Sequence, residues 1–410
     1  MTGLGAIKME STPRRVYLEE FGELLDLLET VFRGNRLFFE HILSKDPWMK
    51  ERLTFVIEED GKLVSHVSCH MRPVRFGSIE VPMGGIGHVA TLPQYRERHH
   101  STALLQAVID GMELAETPLS LLFTGINAFY ERLHWYGLER VDYSFSADDA
   151  HWLPQGEYKL RAFGEEDLPA VMSLYSKVSL AYTLSLARSE AYWRNWWTWA
   201  DPDRRVSDDP RCFQLAFADD QLVAYGLFRP GEESTGIAEL LSLPGHEQAM
   251  AALVANAAGQ FGKPAFGMRL IKHHPYTDAL LAAGAKLESS LSYGSMFRVN
   301  SLYVLLKCLL PELERRLAVA EGGSGKLVIG HFSGAVALES SGDQVTVAPA
   351  SRAEPDLQLP ETTLLSLLIG VGDPLETLGE AASKLQPEQR SLLATLFPAG
   401  MPQYWPGDGF

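Results

Sequence analysis

Arg96 and Arg98 sit in a polar, cationic turn, Gln94-Tyr95-Arg96-Glu97-Arg98-His99-His100-Ser101, and Ala103, Leu104, Leu105, Val108, Ile109 and Met112 follow it at helical spacing. Placed at a helix start, such a turn gathers unpaired N–H groups, the positive end of the helix dipole and two guanidinium groups. Together they would hold a phosphate through several charge-assisted bonds. The plain alternative is a pair of solvated arginines on an exposed turn. Further on, Phe129-Tyr130 precedes Tyr136-Gly137. A phenol near the carboxyl end of a strand pair, where open α/β sheets take ligands, can give a proton to a departing group. A half-buried core tyrosine is the competing reading.

The elements around these residues must bring them to one crevice. Gly87-His88-Val89-Ala90-Thr91-Leu92 is short, apolar and partly β-branched, and reads as a buried strand stopping at Pro93. The helix after the basic turn leads to Leu119–Thr124, a second strand, and Ala128–Trp135 reads as a short helix closed by Gly137.

Part of this pattern occurs twice. The hairpin Thr54–Ser65 is matched by Phe213–Ala224, and each follows a helix with an acidic start, at Glu19–Leu25 and at Glu165–Val171. Tyr130–Leu138 likewise pairs with Tyr276–Ala285, so the chain holds an internal duplication. The second copy has Leu243-Pro244-Gly245-His246-Glu247 where the first has its arginines, and is expected to be structural. Its Trp193, Trp196, Trp197 and Trp199 fall on one helix, as core-filling or cleft-walling rings do. From about Ser301 the texture changes to strands at Lys326–Phe332, Gly334–Leu338 and Gln344–Val347, then helices at Glu361–Leu368, Pro374–Leu385 and Pro387–Phe397, and an extended tail.

With 410 residues, 46% hydrophobic and 21% charged, the chain is globular and long enough for roughly two to three domains. It opens without the apolar run of a secretory signal and holds no segment near the ~20 apolar residues of a membrane span, so a cytoplasmic location is expected. Cys69, Cys212 and Cys308 are scattered through apolar stretches, as buried thiols are. A net charge of −16 argues against nucleic acid and favours cationic small molecules. Gly85–Ala90 imitates a dinucleotide-binding glycine pattern, but Pro93 follows instead of a helix opening among the glycines. Gly322–Lys326 imitates a phosphate-binding loop without its first glycine or its Ser/Thr. The pairs His99-His100 and His273-His274 point apart on a regular backbone, and no metal site is expected.

The segment from Gly87 to Gly137 resembles the GNAT acyltransferase core: a bulged strand, then Arg/Gln-x-x-Gly-x-Gly/Ala opening a helix, then Phe-Tyr before Gly. Arg96-Glu97-Arg98-His99-His100-Ser101 falls on that fingerprint, with His99 where glycine belongs and Ser101 where glycine or alanine belongs. Glycine tolerates unusual φ and lets backbone approach phosphate. Two outcomes are open: His99 keeps an ordinary φ and the turn still binds, or cofactor affinity is weakened or lost.

Taken whole, the chain is similar to the enhanced-intracellular-survival (Eis-like) N-acetyltransferases. The resemblance implies an α/β (α+β) fold of two tandem GNAT domains, 1–150 and 156–299, the second degenerate, and a sterol-carrier-protein-like (SCP2-like) α+β domain, 300–410. It implies an enzyme that moves acetyl from acetyl-CoA to a cationic amine, working as a homo-oligomer, a trimer or hexamer, with no nucleic acid or membrane partner. Val89, Ala90 and Thr91 would supply strand amides to the acetyl carbonyl and pantetheine. Arg96, Glu97, Arg98, His99, His100, Ser101 and Thr102 would form the pyrophosphate turn. Tyr130 would be the general acid, and the carboxylate of Phe410 the general base. Two other readings stand beside it: the same fold with an aminoacyl or longer acyl donor, and a non-catalytic binding protein with a carrier-like ligand domain.

Overall fold

Two seven-stranded sheets of one design dominate the computed structural model, which describes residues 12–34, 36–47, 53–197, 209–320, 323–351 and 355–410. The first runs Arg14–Arg15, Phe55–Glu59, Lys62–Met71, Met83–Thr91, Leu119–Phe123, Ser295–Val299 and Tyr136–Gly137. The second runs Lys159–Ala162, Phe213–Ala218, Gln221–Pro230, Ser234–Ser242, Ala265–Leu270, Arg140–Ser146 and Glu288–Ser292. In each sheet the fourth and fifth strands are parallel and all other neighbours antiparallel. A parallel pair needs a crossover element. It is a 15-residue helix in both copies, His100–Leu114 and Glu247–Phe261.

The two copies exchange a strand. Arg140–Ser146 lies in the second sheet although it precedes residue 150, and Ser295–Val299 crosses back to complete the first. The exchanged strands are apolar enough to be core: Phe145, Met296, Phe297 and Val299 are all buried.

Helices Phe21–Phe32 and Arg36–Lys45 cover one face of the first sheet, through Leu24, Leu28, Phe39 and Ile42 against Val56, Leu63 and Ala90. Helix His100–Leu114 covers the other, through Leu104, Leu105, Val108 and Met112 against Val67, Cys69 and Ile86. Strand Lys62–Met71 is therefore buried on both faces. The second copy keeps its helix at Leu168–Val178, where Trp193 packs edge-on to Tyr175, their ring centroids 5.4 Å apart. Trp196, Trp197 and Trp199 lie outside what is described of the side chains.

The third lobe starts with helix Leu302–Val319 and forms a four-stranded sheet, Gln344–Ala350, Gly334–Ser341, Gly325–His331 and Leu357–Gln358. The single helix expected over Pro374–Leu385 is broken into Pro374–Leu378 and Glu380–Ser383. Gly379, at φ 54°, takes the left-handed turn between them. Among the described residues no helix is long and apolar enough to cross a membrane.

Candidate active site

The strand Met83–Thr91 carries a bulge. Ser65 pairs with Thr91 and His66 with Ala90, but the next partners are Ser68 and Gly87, so His88 and Val89 stand out of register. His88 sits there at φ 53°. A bulge takes main-chain amides out of the ladder and leaves them for another acceptor. Val89, Ala90 and Thr91, the expected acyl-binding residues, lie at and just past it. On the other side the strand pairs with Leu119–Phe123 only from Met83 to Ile86. Past that point the two parallel strands part, and the bulge faces the opening.

The basic turn adopts the backbone that its sequence made doubtful. His99, at φ 61° and ψ 14°, occupies the left-handed region that a glycine would use, and Glu97 does so too at φ 65°. Of the two outcomes left open, an ordinary φ at His99 is not the one adopted. Histidine is among the residues that enter this region more readily, at a cost of roughly 1–2 kcal/mol. Arg96, at φ −66°, precedes Glu97, and Arg98 lies between the two left-handed residues. Alternation of this kind turns successive N–H groups toward one point, the geometry of an anion nest. The helix His100–Leu114 begins immediately after.

The side chains of the turn divide by duty. Arg98 is held by Glu59 at 2.7 Å and lies over the Tyr95 ring at 4.9 Å. His100 is buried, with Nε2 3.1 Å from the same glutamate. Ser101 Oγ lies 2.9 Å from Thr91 Oγ1, which in turn lies 2.7 Å from Ser65 Oγ, so three hydroxyls tie the helix start to the bulged strand. The Arg96 guanidinium and the His99 and Thr102 side chains make no such tether among the described residues.

Tyr130 lies in the helix Asn127–Glu131, shorter than the Ala128–Trp135 expected, and is 7% exposed between Phe129 and Trp135. Burial pushes its phenol up to about 12, so it stays protonated through neutral pH.

Phe410 is the residue the sequence could place least, and it lies far from its own lobe. A Cβ on Gly85 of the bulged strand would meet three atoms of its ring at 2.6–2.9 Å. The ring also stacks on His70 at 6.0 Å between centroids, lies 5.3 Å from the Phe123 ring and has the Arg72 guanidinium over it at 5.5 Å. No ring contact or hydrogen bond joins Phe410 to Tyr130 among the described residues. The link is the strand Leu119–Phe123, whose last residue touches Phe410 and whose following helix carries Tyr130.

The tail is fastened on its way there. Met401–Pro402 pairs in parallel with Tyr182–Thr183 of the second copy. Asp408 is fully buried and accepts from Arg188 at 2.9 Å and from Tyr192 Oη at 3.1 Å, while Arg188 also grips Glu239. The Tyr404 hydroxyl donates to the Asp408 carbonyl at 2.8 Å. In the second copy, His246 at the cap of Glu247–Phe261 is at φ −120°, and the positive φ of that turn falls on Gly245, at 85°.

A polar row beneath Phe410 was missed in the sequence. His66, Ser68 and His70 share one face of the strand Lys62–Met71, Arg72 follows, and all four are fully buried. Ser68 Oγ lies 3.2 Å from His70 Nε2 and 3.0 Å from His88 Nδ1 and donates to the Gly87 carbonyl at 3.1 Å. His66 Nδ1 lies 2.9 Å from the His88 carbonyl. His70 Nδ1 stands 3.3 Å from Asp46 Oδ2, within electrostatic reach though not aligned as a hydrogen bond, and Asp46 holds Arg72 by a fork at 2.5 and 3.0 Å. Burial lowers His66 to about 4. Burial also lowers His70, against the pull of Asp46, while Arg72 and His70 keep Asp46 below the usual carboxylate range despite its burial. The signal was there: His66, Ser68 and His70 alternate with the apolar Val67, Cys69 and Met71.

Residues 12–137 match the family model described as an acetyltransferase (GNAT) domain. No curated protein is similar enough to count as a relative. Solved structures share the fold across nearly the whole chain, each at 18% identity. A conserved protein of unknown function from Enterococcus faecalis V583, a probable N-acyltransferase, has a TM-score of 0.73, with 98% of this chain and 100% of that one covered. A GCN5-related N-acetyltransferase from Anabaena variabilis ATCC 29413 has a TM-score of 0.71, with 97% and 100% covered. Eis1 from Mycobacterium abscessus has a TM-score of 0.63, with 98% and 100% covered. The part of the chain that holds the bulged strand, the basic turn and Tyr130 is thus a GNAT acetyltransferase domain, an enzyme domain set within a longer shared architecture.

Proposed function

We propose that the protein transfers an acetyl group from acetyl-CoA to a primary amine of a polycationic small molecule or a lysine side chain, by direct attack within a ternary complex. The observation that carries this reading is the seat of Phe410. A residue from the far end of the third lobe is packed on the bulged strand of the first sheet, where acyl transfer would occur. The turn suits an anionic diphosphate, given the alternating φ at Arg96–His99, the 15-residue helix behind it and the Arg96 side chain.

Acetyl-CoA would supply the activated acyl carbon. Amides at Val89 and Ala90 would donate to its carbonyl oxygen as negative charge grows there; losing one such donor costs about 2.7–4 kcal/mol of barrier. Tyr130, protonated at neutral pH, would give its proton to the departing sulfur. The Phe410 carboxylate assigned by the resemblance would pair with the acceptor's ammonium and draw or relay its proton. Residues 1–150, 156–299 and 300–410 would be the structural units apart from the exchanged strands Arg140–Ser146 and Ser295–Val299, the last unit SCP2-like, assembled as a trimer or hexamer in the cytoplasm.

Thiol release from acetyl-CoA across a panel of amines tests the reading. Turnover that falls on Tyr130→Phe and on removal of Phe410 supports it; no thiol with any amine rejects it.

A further inference from the structure

Tyr130 sits in a helix of five residues, Asn127–Glu131. A helix that short does not hold itself, and its last carbonyls need partners from outside. The chain just beyond supplies the first of them. Leu133 and Trp135 N–H both donate to the Tyr130 carbonyl, at 2.9 and 3.2 Å, and His134 N–H donates to the Glu131 carbonyl at 3.0 Å. His134 turns the chain there, at φ 64°. Trp135 is fully buried and edge-on to the Tyr130 ring at 6.4 Å between centroids, so the ring follows the turn behind it.

The exchanged strand Ser295–Val299 supplies a second support. Arg298 Nε donates to the Leu133 carbonyl at 3.1 Å, and its guanidinium lies over the Trp135 ring at 5.6 Å. Arg298 Nη1 donates to Asn300 Oδ1 at 2.6 Å. The same oxygen accepts from Ser120 Oγ at 3.1 Å, and Ser120 Oγ accepts from the Trp135 indole N–H at 3.0 Å. One arginine therefore grips the turn by its backbone and, through two neighbours, by its indole.

The third lobe closes on this turn from outside. Phe332 stands at the tip of the hairpin between Gly325–His331 and Gly334–Ser341. Its ring lies flat on that of His134, 4.1 Å between centroids and 11° between planes, and the Arg298 guanidinium lies over it at 5.1 Å. Ring stacking and a cation over a ring face are short-range and directional, so they fix position as well as attract. The tip is braced in turn. Ser333 N–H donates to His331 Nδ1 at 3.1 Å, and His331 Nε2 lies 3.1 Å from Glu361 Oε1, at the start of the helix Glu361–Ile369. Leu302 N–H, at the start of the helix Leu302–Val319, reaches Ser333 Oγ at 3.4 Å.

We infer that Phe332, with His134 and Arg298, is a positioning residue for Tyr130: the hairpin tip of the third lobe holds the turn behind the phenol and so fixes where its proton is delivered. The inference rests on the reading of Tyr130 as the acid of acetyl transfer. It gives the third lobe two holds on the first, the seat of Phe410 and this tip.

The test is a double-mutant cycle on thiol release with Phe332→Ala, Tyr130→Phe and the pair. F332A should lower kcat about tenfold while keeping KM for acetyl-CoA and for the amine, since a misplacement well under 1 Å at a reacting group is enough. In Y130F, which has no proton to place, F332A should cost nothing further. A tenfold loss repeated in the Y130F background shows Phe332 acting elsewhere and overturns the inference. F332A at wild-type kcat while Y130F is slow overturns it too and leaves acetyl transfer standing. Y130F at the wild-type rate removes the acid and this inference with it, and wild-type protein that releases no thiol with any amine overturns the whole reading. If F332A fails to melt like wild type, His134→Asn, which tolerates the left-handed φ and removes the stacked ring, takes its place in the cycle under the same criteria.

Discussion

Gly85→Ala isolates the seat of Phe410 with a single methyl group. The added Cβ would stand 2.6, 2.7 and 2.9 Å from three ring carbons, where ordinary contact begins near 3.4 Å, so the ring must retreat by about 1 Å. It is flanked by His70, Phe123 and Arg72, and retreat moves the residue out of the crevice. A displacement of about 1 Å at a reacting group costs on the order of a hundredfold in rate. G85A should therefore lose about two decades of kcat in the thiol-release assay, with acetyl-CoA affinity and melting temperature close to wild type. Two neighbours calibrate it. Gly236 has the corresponding place in the second copy's parallel pair, where a Cβ meets nothing nearer than 3.6 Å, so G236A should be silent. On Gly84, a Cβ would collide with Met112 Sδ and lie 3.0 Å from Cys69 Sγ, so G84A should destabilise by about 1–3 kcal/mol through overpacking. Wild-type kcat in G85A, or an equal loss in G236A, would refute the claim that this ring belongs to the reacting centre.

Tyr130→Phe should lower kcat about a hundredfold without shifting the melting temperature, since its hydroxyl makes no hydrogen bond among the described residues; a shift in stability with unchanged rate would make it a core residue. Wild-type kcat should show no loss assignable to this phenol below about pH 10, because burial holds it near 12. Arg188→Met should cost about 3–5 kcal/mol in urea unfolding, since Glu239 and Asp408 would be left buried without their cation, and a loss under about 1 kcal/mol would contradict the anchoring role. His66 and His274 are held near 4 by burial, below their ordinary 6.5. The unfolded chain binds more protons between those values, so this stability is complete above about pH 6.5 and is lost as pH falls toward 4. Each should cost about 2 kcal/mol at pH 5, measured by chemical denaturation at pH 7 and 5; a flat profile would mean the pair ionises freely in the fold.

Local pattern made the elements legible. The alternation in Thr54–Ser65 and Phe213–Ala224, the proline after Leu92 and the apolar spacing from Ala103 to Met112 each report a nearby backbone state, and the strands and helices follow them. The duplication was legible for the same reason, as similar local patterns recurring in the same order. What stayed hidden depends on partners distant in sequence. Nothing in Arg140–Ser146 or Ser295–Val299 says which sheet it joins, because either sheet offers an equivalent edge. The left-handed His99 and His88 were illegible because glycine is the usual mark of that conformation, and here the ladder and the helix start impose it on histidines. The Asp46–His70–Ser68–His88 line needed the bulge to bring two strands into an offset register, although its period-two row of polar residues was in plain view.

The traded strands have a consequence for biosynthesis. On a growing chain, Leu119–Phe123 presents an open apolar flank until residues 295–299 leave the ribosome, so the catalytic lobe cannot be completed in the order in which it is translated. A fragment stopped near residue 150 would carry every residue of the proposed acyl site except Phe410 and still expose that flank, inviting capture by a chaperone or by another nascent copy. The first lobe is thus tethered to the maturation of the second, and excising it as an independent module would require supplying the missing ribbon as a peptide.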